Sequence, residues 1–279
     1  MPRRSLTQAM AETNVLTKAR EANRARVARA RREAVAPREP SQALDAYTAT
    51  MRTYAKRVEV LVNRLVVDRL PILGSGDPLD VAALESGLRE LDVELDKLAD
   101  RSRRSAYAAA KRASTHARQE AQRVLNVTLP KNDMTEAFRI QTFTDLGVAR
   151  LRAAGTAQVA RIRQAITQHV EGASMRQDIL KSLWVSRVRG RMIARDQVYG
   201  LHVQSIGAWA QTVGSKKYTW HTRHDERVRY GHQRLDGRVF SWDDPPNTGR
   251  QEGNNHPGGA GAPNCRCTAI PVEAIPPKR

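Results

Sequence analysis

Residues 44–65 read LDAYTATMRTYAKRVEVLVNRL, and their apolar side chains recur at Leu44, Tyr47, Met51, Tyr54, Val58, Leu61 and Leu65. The steps alternate between three and four residues, which holds one seam of a helix against a partner helix. A second seam with the same alternation follows at Val81, Leu84, Leu88, Leu91, Leu95 and Leu98. Between them, PILGSGDP at 71–78 has the Pro and Gly content of a turn. Two matched seams with a short connection predict an antiparallel helical hairpin. The second helix is expected to run on through the alanine-rich YAAAKRASTHARQEAQRVL to about Leu125.

Pro130 breaks that run, and Asn132 or Asp133 can cap a following helix that ends near Gly147. Further helices fit Thr156–Val170, Ser174–Trp184 and Val188–Val213, the last stopped by Gly214. Ser174 and Gln177 stand at capping-box spacing. Beyond Gly214 the character changes. Three of the four tryptophans, four of the seven histidines and both cysteines lie at or after Trp209. KYTWHT (217–222), RVFSW (238–242, after the turn pair Asp236-Gly237) and CTAIPV (267–272) read as short strands. The long loop 243–264, rich in Gly and Pro, needs something to fasten it or has a function. The expected fold is mainly α, a helical hairpin and further helices, with a small C-terminal α+β module containing a short antiparallel sheet. The expected divisions are a basic arm at 1–40, a helical body at 41–190 and a C-terminal module at 191–279.

The chain has 47 Lys and Arg against 29 Asp and Glu, a net charge of +18. Such a surface attracts polyanions, nucleic acid first and an acidic protein surface second. The candidate phosphate contacts are Arg24, Arg26, Arg29, Arg31 and Arg32 in the arm, and Arg101, Arg103, Arg104, Lys111 and Arg112 along the second helix. Aromatic residues make up only 5%, which argues against a single-strand stacking platform. There is no run of eighteen apolar residues, so no membrane span is expected. The amino terminus lacks the apolar core of a secretory signal, and Glu12, Glu21 and Glu33 disfavour a transit peptide.

The two cysteines, Cys265 and Cys267, are one residue apart in NCRC near the end of the chain. A disulfide between them would close a small strained ring, and a reducing cytoplasm is the expected compartment. A small unit with a long Gly/Pro loop is commonly held by metal, and thiolate plus imidazole suits zinc. His221, His224, Asp225, His232 and His256 are candidate partners for the pair. Three other readings stay open from spacing alone. The thiols can be buried small hydrophobes; a cysteine with His232 can be nucleophile and base; or HTRHDE (221–226) can be a nuclease site.

ARD (194–196), KYTWHTRHDERVR (217–229), HQRLDG (232–237) and PNCRC (263–267) occur in this order. The ordered set resembles the phage Mu protein F-like (SPP1-type minor head protein) family of head morphogenesis proteins, over roughly residues 193–272. Trp220 falls on the family's tryptophan. Asp225, Arg227 and Val228 fall on its Asp-x-Arg-Val, Leu235, Asp236 and Gly237 on its Leu-Asp-Gly, and Cys265, Arg266 and Cys267 on its Cys-Arg-Cys. The resemblance implies a minor capsid protein made in the host bacterial cytoplasm and placed in the virion, in the head interior at the portal vertex. Implied partners are the portal protein, packaged double-stranded DNA, and major capsid or scaffold protein. Many relatives carry Cys-x-x-Cys where this chain has Arg229 and His232. An arginine has no lone pair to give. The implied zinc ligands are therefore Cys265, Cys267 and His232, with His256 or His224 as a fourth. Without metal, ion pairs such as Asp225 or Asp236 with Arg227 or Arg266 are expected to hold the unit. Relatives often read Ala-Arg-Thr-Glu where this chain reads Ala194-Arg195-Asp196-Gln197. The runner-up reading is a phage-associated nuclease or toxin using the His/Asp cluster of the module.

Overall fold

The computed structural model describes residues 36–71, 78–130, 134–168, 172–249, 253–258 and 262–272, less the side chains of 172–173 and 184–189. The arm residues Arg24, Arg26, Arg29, Arg31 and Arg32, the turn 72–77 and the caps Asn132 and Asp133 lie outside the described residues.

The first seam forms α1, Ser41–Leu65, followed by one 3₁₀ turn at Val67–Arg69. The second forms α2, Val81–Arg101. Asp80 caps α2, its carboxylate accepting the Ala83 N–H at 2.8 Å, a cap worth about 1 kcal/mol. The hairpin is as expected, with Tyr47, Met51, Tyr54 and Val58 of α1 and Leu84, Leu88, Leu91 and Leu95 of α2 all buried. Fully burying each such leucine contributes about 1.5–3 kcal/mol. The seam drifts at its ends: Val62 faces the core at 0% exposure while Leu61 only packs against it, and Val81 is 57% exposed. A straight helix turns every 3.6 residues, so a 3.5-residue seam slides off the contact line.

The expected long second helix is divided at Ser102, whose hydroxyl donates back to the Leu98 carbonyl at 3.0 Å. Such back-bonding bends helices. Beyond the bend, α3 (Arg103–Leu125) buries Ala106, Ala109, Ala110, Ala113, Ala117 and Ala121 on one face and ends at Asn126 in the left-handed conformation, φ 52°.

Two helix ends read from the sequence are not there. The helix beginning after Pro130 does not stop near Gly147, nor does a new one start at Thr156: α4 is continuous over Met134–Gln168. Likewise Ser174–Trp184 and Val188–Val213 are parts of a single α5, Gly172–Thr212. Gly147 and Gly155 are contact points instead. A Cβ on Gly147 would sit 2.8 Å from the Tyr47 hydroxyl, and one on Gly155 would sit 3.2 Å from Leu95 Cβ. A glycine costs a helix about 1 kcal/mol, a penalty that close packing of α1 and α2 against α4 overrides.

α5 packs on α1, α3 and α4. The position between residues 190 and 191 lies inside it. It ends at Gly214 (φ 83°), where the Ser215 N–H returns to the Ala210 carbonyl at 2.9 Å. The three expected strands follow: β1 Lys217–His221, β2 Val239–Ser241 and β3 Thr268–Pro271. A four-residue helical turn, α6 (Tyr230–Gln233), precedes β2. The sheet is antiparallel in the order β2-β1-β3, with Tyr218 opposite Phe240 and Trp220 opposite Ala269. Its inner face meets Val203, Ile206 and Ala210 of α5 and Ala117 and Leu125 of α3 in a second core. Trp242 closes that core over Gly207, where a Cβ would lie 2.7 Å from the indole ring. Among the described residues no helix is long and apolar enough to cross a membrane.

Candidate functional site

The fold delivers both cysteines to the base of α6. Cys265 and Cys267 are buried, unbonded thiols, and His232 Nδ1 lies 3.5 Å from each sulfur. His232 stands edge-on to Trp220, ring centroids 5.4 Å apart, which sets the imidazole orientation. The Gly258 N–H donates to Cys265 Sγ at 3.4 Å. Hydrogen bonding from Cys267, with help from His232 and Gly258, draws the Cys265 thiol well below its ordinary pKa. Cys267, sharing that proton and buried, is pushed up.

The Cys-Arg-Cys turn is pinned from both sides. Asn264 adopts the left-handed conformation (φ 58°) and its N–H donates to Asp196 of α5 at 2.6 Å. Arg266 donates to Asp225 at 2.6 Å, holding that carboxyl below the usual range. This is one of the expected ion pairs. Arg229 donates to the Pro263 carbonyl, while Arg227 extends into solvent at 77% side-chain exposure. Gly237, at φ 74°, donates its N–H to the Trp220 carbonyl at 2.8 Å and turns the chain into β2. A cavity of about 370 Å³ opens over the cluster, lined by Arg195, Arg227, Arg229 and Arg266 together with His232, Cys265 and Cys267.

The donor set fits zinc in type and in size. Zinc bonds of about 2.3 Å to sulfur and 2.0 Å to nitrogen put tetrahedral neighbours about 3.5 Å apart, the separation found here. His256 does not complete the set: its Nδ1 lies 3.3 Å from the Tyr218 hydroxyl and its ring rests against Trp242. Among the described residues the group of possible ligands ends at His232, Cys265 and Cys267. A second group forms from His221, His224 and Asp236. Asp225 belongs to neither group.

The basic residues of α2 and α3 occupy the outer side of the bundle. Arg101, Arg103, Arg104, Lys111 and Arg112 are all exposed, with Arg103 paired to Asp145. Arg101 ends α2, and Arg104, Lys111 and Arg112 lie on the exposed side of α3, whose opposite face buries the alanines. One buried polar contact escaped the sequence reading. His116 Nδ1 of α3 meets His202 Nε2 of α5 at 3.0 Å. Burial draws both below the ordinary histidine value, His202 to about 3. The two are 86 positions apart, and each alone looks like a solitary histidine on a helix.

Residues 159–270 match the family model described as Phage Mu protein F like protein. This part of the chain is similar to phage Mu protein F. The Mu F-like region starts within α4 and takes in all of α5, upstream of the motif-bearing stretch from about residue 193. A protein of Haemophilus influenzae described as uncharacterized is 30% identical over 146 residues, which is 51% of this chain and 31% of that relative. The chain thus spans about a third of the curated relative it matches. No solved structure matches the chain.

Proposed function

We propose that the protein is a minor head component of a tailed phage, a structural rather than catalytic part, sited inside the head near the portal. The observation that carries this reading is the Mu F-like region at 159–270. In the proposal the helical bundle faces packaged DNA with the exposed basic residues of α2 and α3, and the sheet unit docks on portal, major capsid or scaffold protein. Charge supports the first half: the chain is +18, and Arg101, Arg104, Lys111 and Arg112 are exposed. Guanidinium and ammonium groups on phosphates give binding without base reading. We further propose that Cys265, Cys267 and His232 hold zinc as a fastening for the carboxyl-terminal turn. Zinc held by these three residues would cross-link the approach to β3 with α6.

The rival nuclease reading places its site in HTRHDE (221–226) together with His232. Of these residues, Asp225 is paired with Arg266 and His232 lies against the two sulfurs, contacts that support a structural role for those two.

The deciding experiment is quantitative mass spectrometry of DNA-filled virions and of heads emptied by ejection, normalised to portal. A fixed ratio of a few copies up to about one per portal subunit is expected. Loss on ejection would make it a delivered protein and retention a vertex protein. Absence from both preparations overturns the head assignment.

A further inference from the structure

His221, His224 and Asp236 bring three ligand atoms within 4.8 Å of one another, in a group that shares no residue with the cysteine cluster. His221 ends β1, His224 follows it in the next turn, and Asp236 leads the Asp-Gly turn into β2. All three side chains are largely sheltered, with side-chain exposures of 8%, 14% and 19%.

The spacing inside the cluster is informative. Asp236 Oδ1 lies 4.0 Å from His221 Nδ1 and 3.7 Å from His224 Nε2. Both distances are too long for hydrogen bonds, and both are shorter than the roughly 4.5 Å that a bridging water spans at hydrogen-bond lengths. His224 Nε2 is buried and, among the described residues, makes no hydrogen bond. A cation with ligand bonds of about 2.0–2.2 Å puts adjacent donors about 3.0–3.4 Å apart. The two carboxylate–imidazole separations would close by about 0.3 to 1 Å to reach that geometry.

Two further features hold the donors in place. Thr222 fastens the carboxylate, its N–H and hydroxyl reaching Oδ1 at 2.9 and 3.2 Å. The same hydroxyl meets His224 Nδ1 at 3.3 Å, an outer-shell contact of the kind that orients metal-bound histidines. His224 also has φ 56°. A left-handed conformation is uncommon outside glycine and carries strain that surrounding structure must support. It is this conformation that turns the imidazole back toward His221, the ring centroids being 5.2 Å apart. Of the three, His221 alone lines a cavity of about 210 Å³, shared with Tyr199, His202, Arg223 and Arg266.

We propose that His221, His224 and Asp236 form a second, sulfur-free site for a divalent transition-metal ion such as Zn²⁺ or Fe²⁺. Two imidazoles and one carboxylate with open positions suit these ions and do not match the all-oxygen preference of Ca²⁺ and Mg²⁺. The site is independent of the cysteine cluster's zinc and of the head assignment.

The test uses full-length protein stripped with chelator and loaded with Co²⁺, read by equilibrium dialysis and by X-ray absorption at the cobalt edge. The wild type is expected to hold a Co²⁺ population with nitrogen and oxygen neighbours and no sulfur. His224→Asn keeps a residue that tolerates the left-handed backbone, and Asp236→Asn keeps the oxygen that accepts from Thr222. Each should lower the stoichiometry by about one ion per chain and weaken that population by more than about 100-fold, since losing even an outer-shell partner costs about 10–100-fold. Circular dichroism melts identify a variant that has failed to fold. The wild-type spectrum decides the matter on its own in that case. Cobalt found solely with sulfur neighbours, no bound cobalt at all, or a sulfur-free population unchanged in two folded variants overturns the proposal.

Discussion

At the scale of single residues, the protein's least replaceable atoms are small ones. Gly207 is a mid-helix position where alanine ordinarily gains about 1 kcal/mol. Here the sign reverses, because the added methyl would meet the Trp242 ring at 2.7 Å. Gly207→Ala should lower stability by about 1–3 kcal/mol, the usual range for overpacking, read as a reduced melting temperature with a shifted tryptophan emission. An unchanged melt would mean Trp242 moves freely. The cysteines are the second case. Replacing Cys265 and Cys267 together by serine leaves two hydroxyls facing His232 in a buried pocket. The variant should melt earlier and expose the segment after residue 253 to protease. A parent-like melting temperature and cleavage pattern would remove their role as a fastening. The gathering of His232, Cys265 and Cys267 was legible through the family resemblance, which puts His232 where many relatives carry a cysteine, while the residues alone left His221, His224, Asp225, His232 and His256 all open as partners. The place of His256 was not, since a long Gly/Pro loop leaves no periodicity from which to read where a side chain goes.

Between elements, the telling contact is His116 against His202, which joins α3 to α5. Burial holds His202 at about 3 in the folded state, with the His116 ring adding to the depression, against about 6.5 in an unfolded chain. Between these values the unfolded chain binds the extra proton. The pair's full contribution is therefore present above about pH 6.5, and it falls away as pH drops toward 3, by up to about 1.4 kcal/mol per pH unit for one group. Glu120, Arg38 and Arg123 act on His116 from α3 and from the chain leading into α1. Urea unfolding at pH 7 and pH 5 should show a loss of stability that is smaller in His202→Gln, which can still bond His116 and does not titrate. Equal losses in both proteins would assign the pH dependence elsewhere. The same scale shows where sequence reasoning succeeds and fails. The seams of α1 and α2 were visible because six or seven apolar side chains repeat on one face. The continuity of α4 was not, because a glycine that ends a helix and a glycine that admits a neighbour look alike until the neighbour is known. Tyr47 and Tyr54, which meet Gly147 and Gly155, come about 100 positions earlier in the chain.

For the molecule as a whole, charge sets the expectation. Binding to duplex DNA should weaken steeply with salt, each phosphate contact contributing about 0.9 to the slope of log K against log salt. Changing Arg101, Arg104, Lys111 and Arg112 to glutamine should reduce that slope by about 0.9 for each of these cations that sits on a phosphate, and weaken all DNA sequences alike. A slope near zero in the parent would remove DNA from the proposal and leave an acidic protein partner. The overall class, a helical body leading into a small sheet, was legible from the change in composition after Gly214. The depth to which the two parts share an element was not, because it depends on which side chains of α5 face which core.

α5 contributes Met175, Ile179, Val198 and Leu201 to the bundle and Val203, Ile206 and Ala210 to the core under the sheet. At 41 residues it is about 60 Å long. The molecule consequently has a keel in place of a hinge. A load applied to the sheet unit, such as the tug of a docked partner, runs along the hydrogen-bonded axis of one helix into the bundle rather than being absorbed by a slack joint.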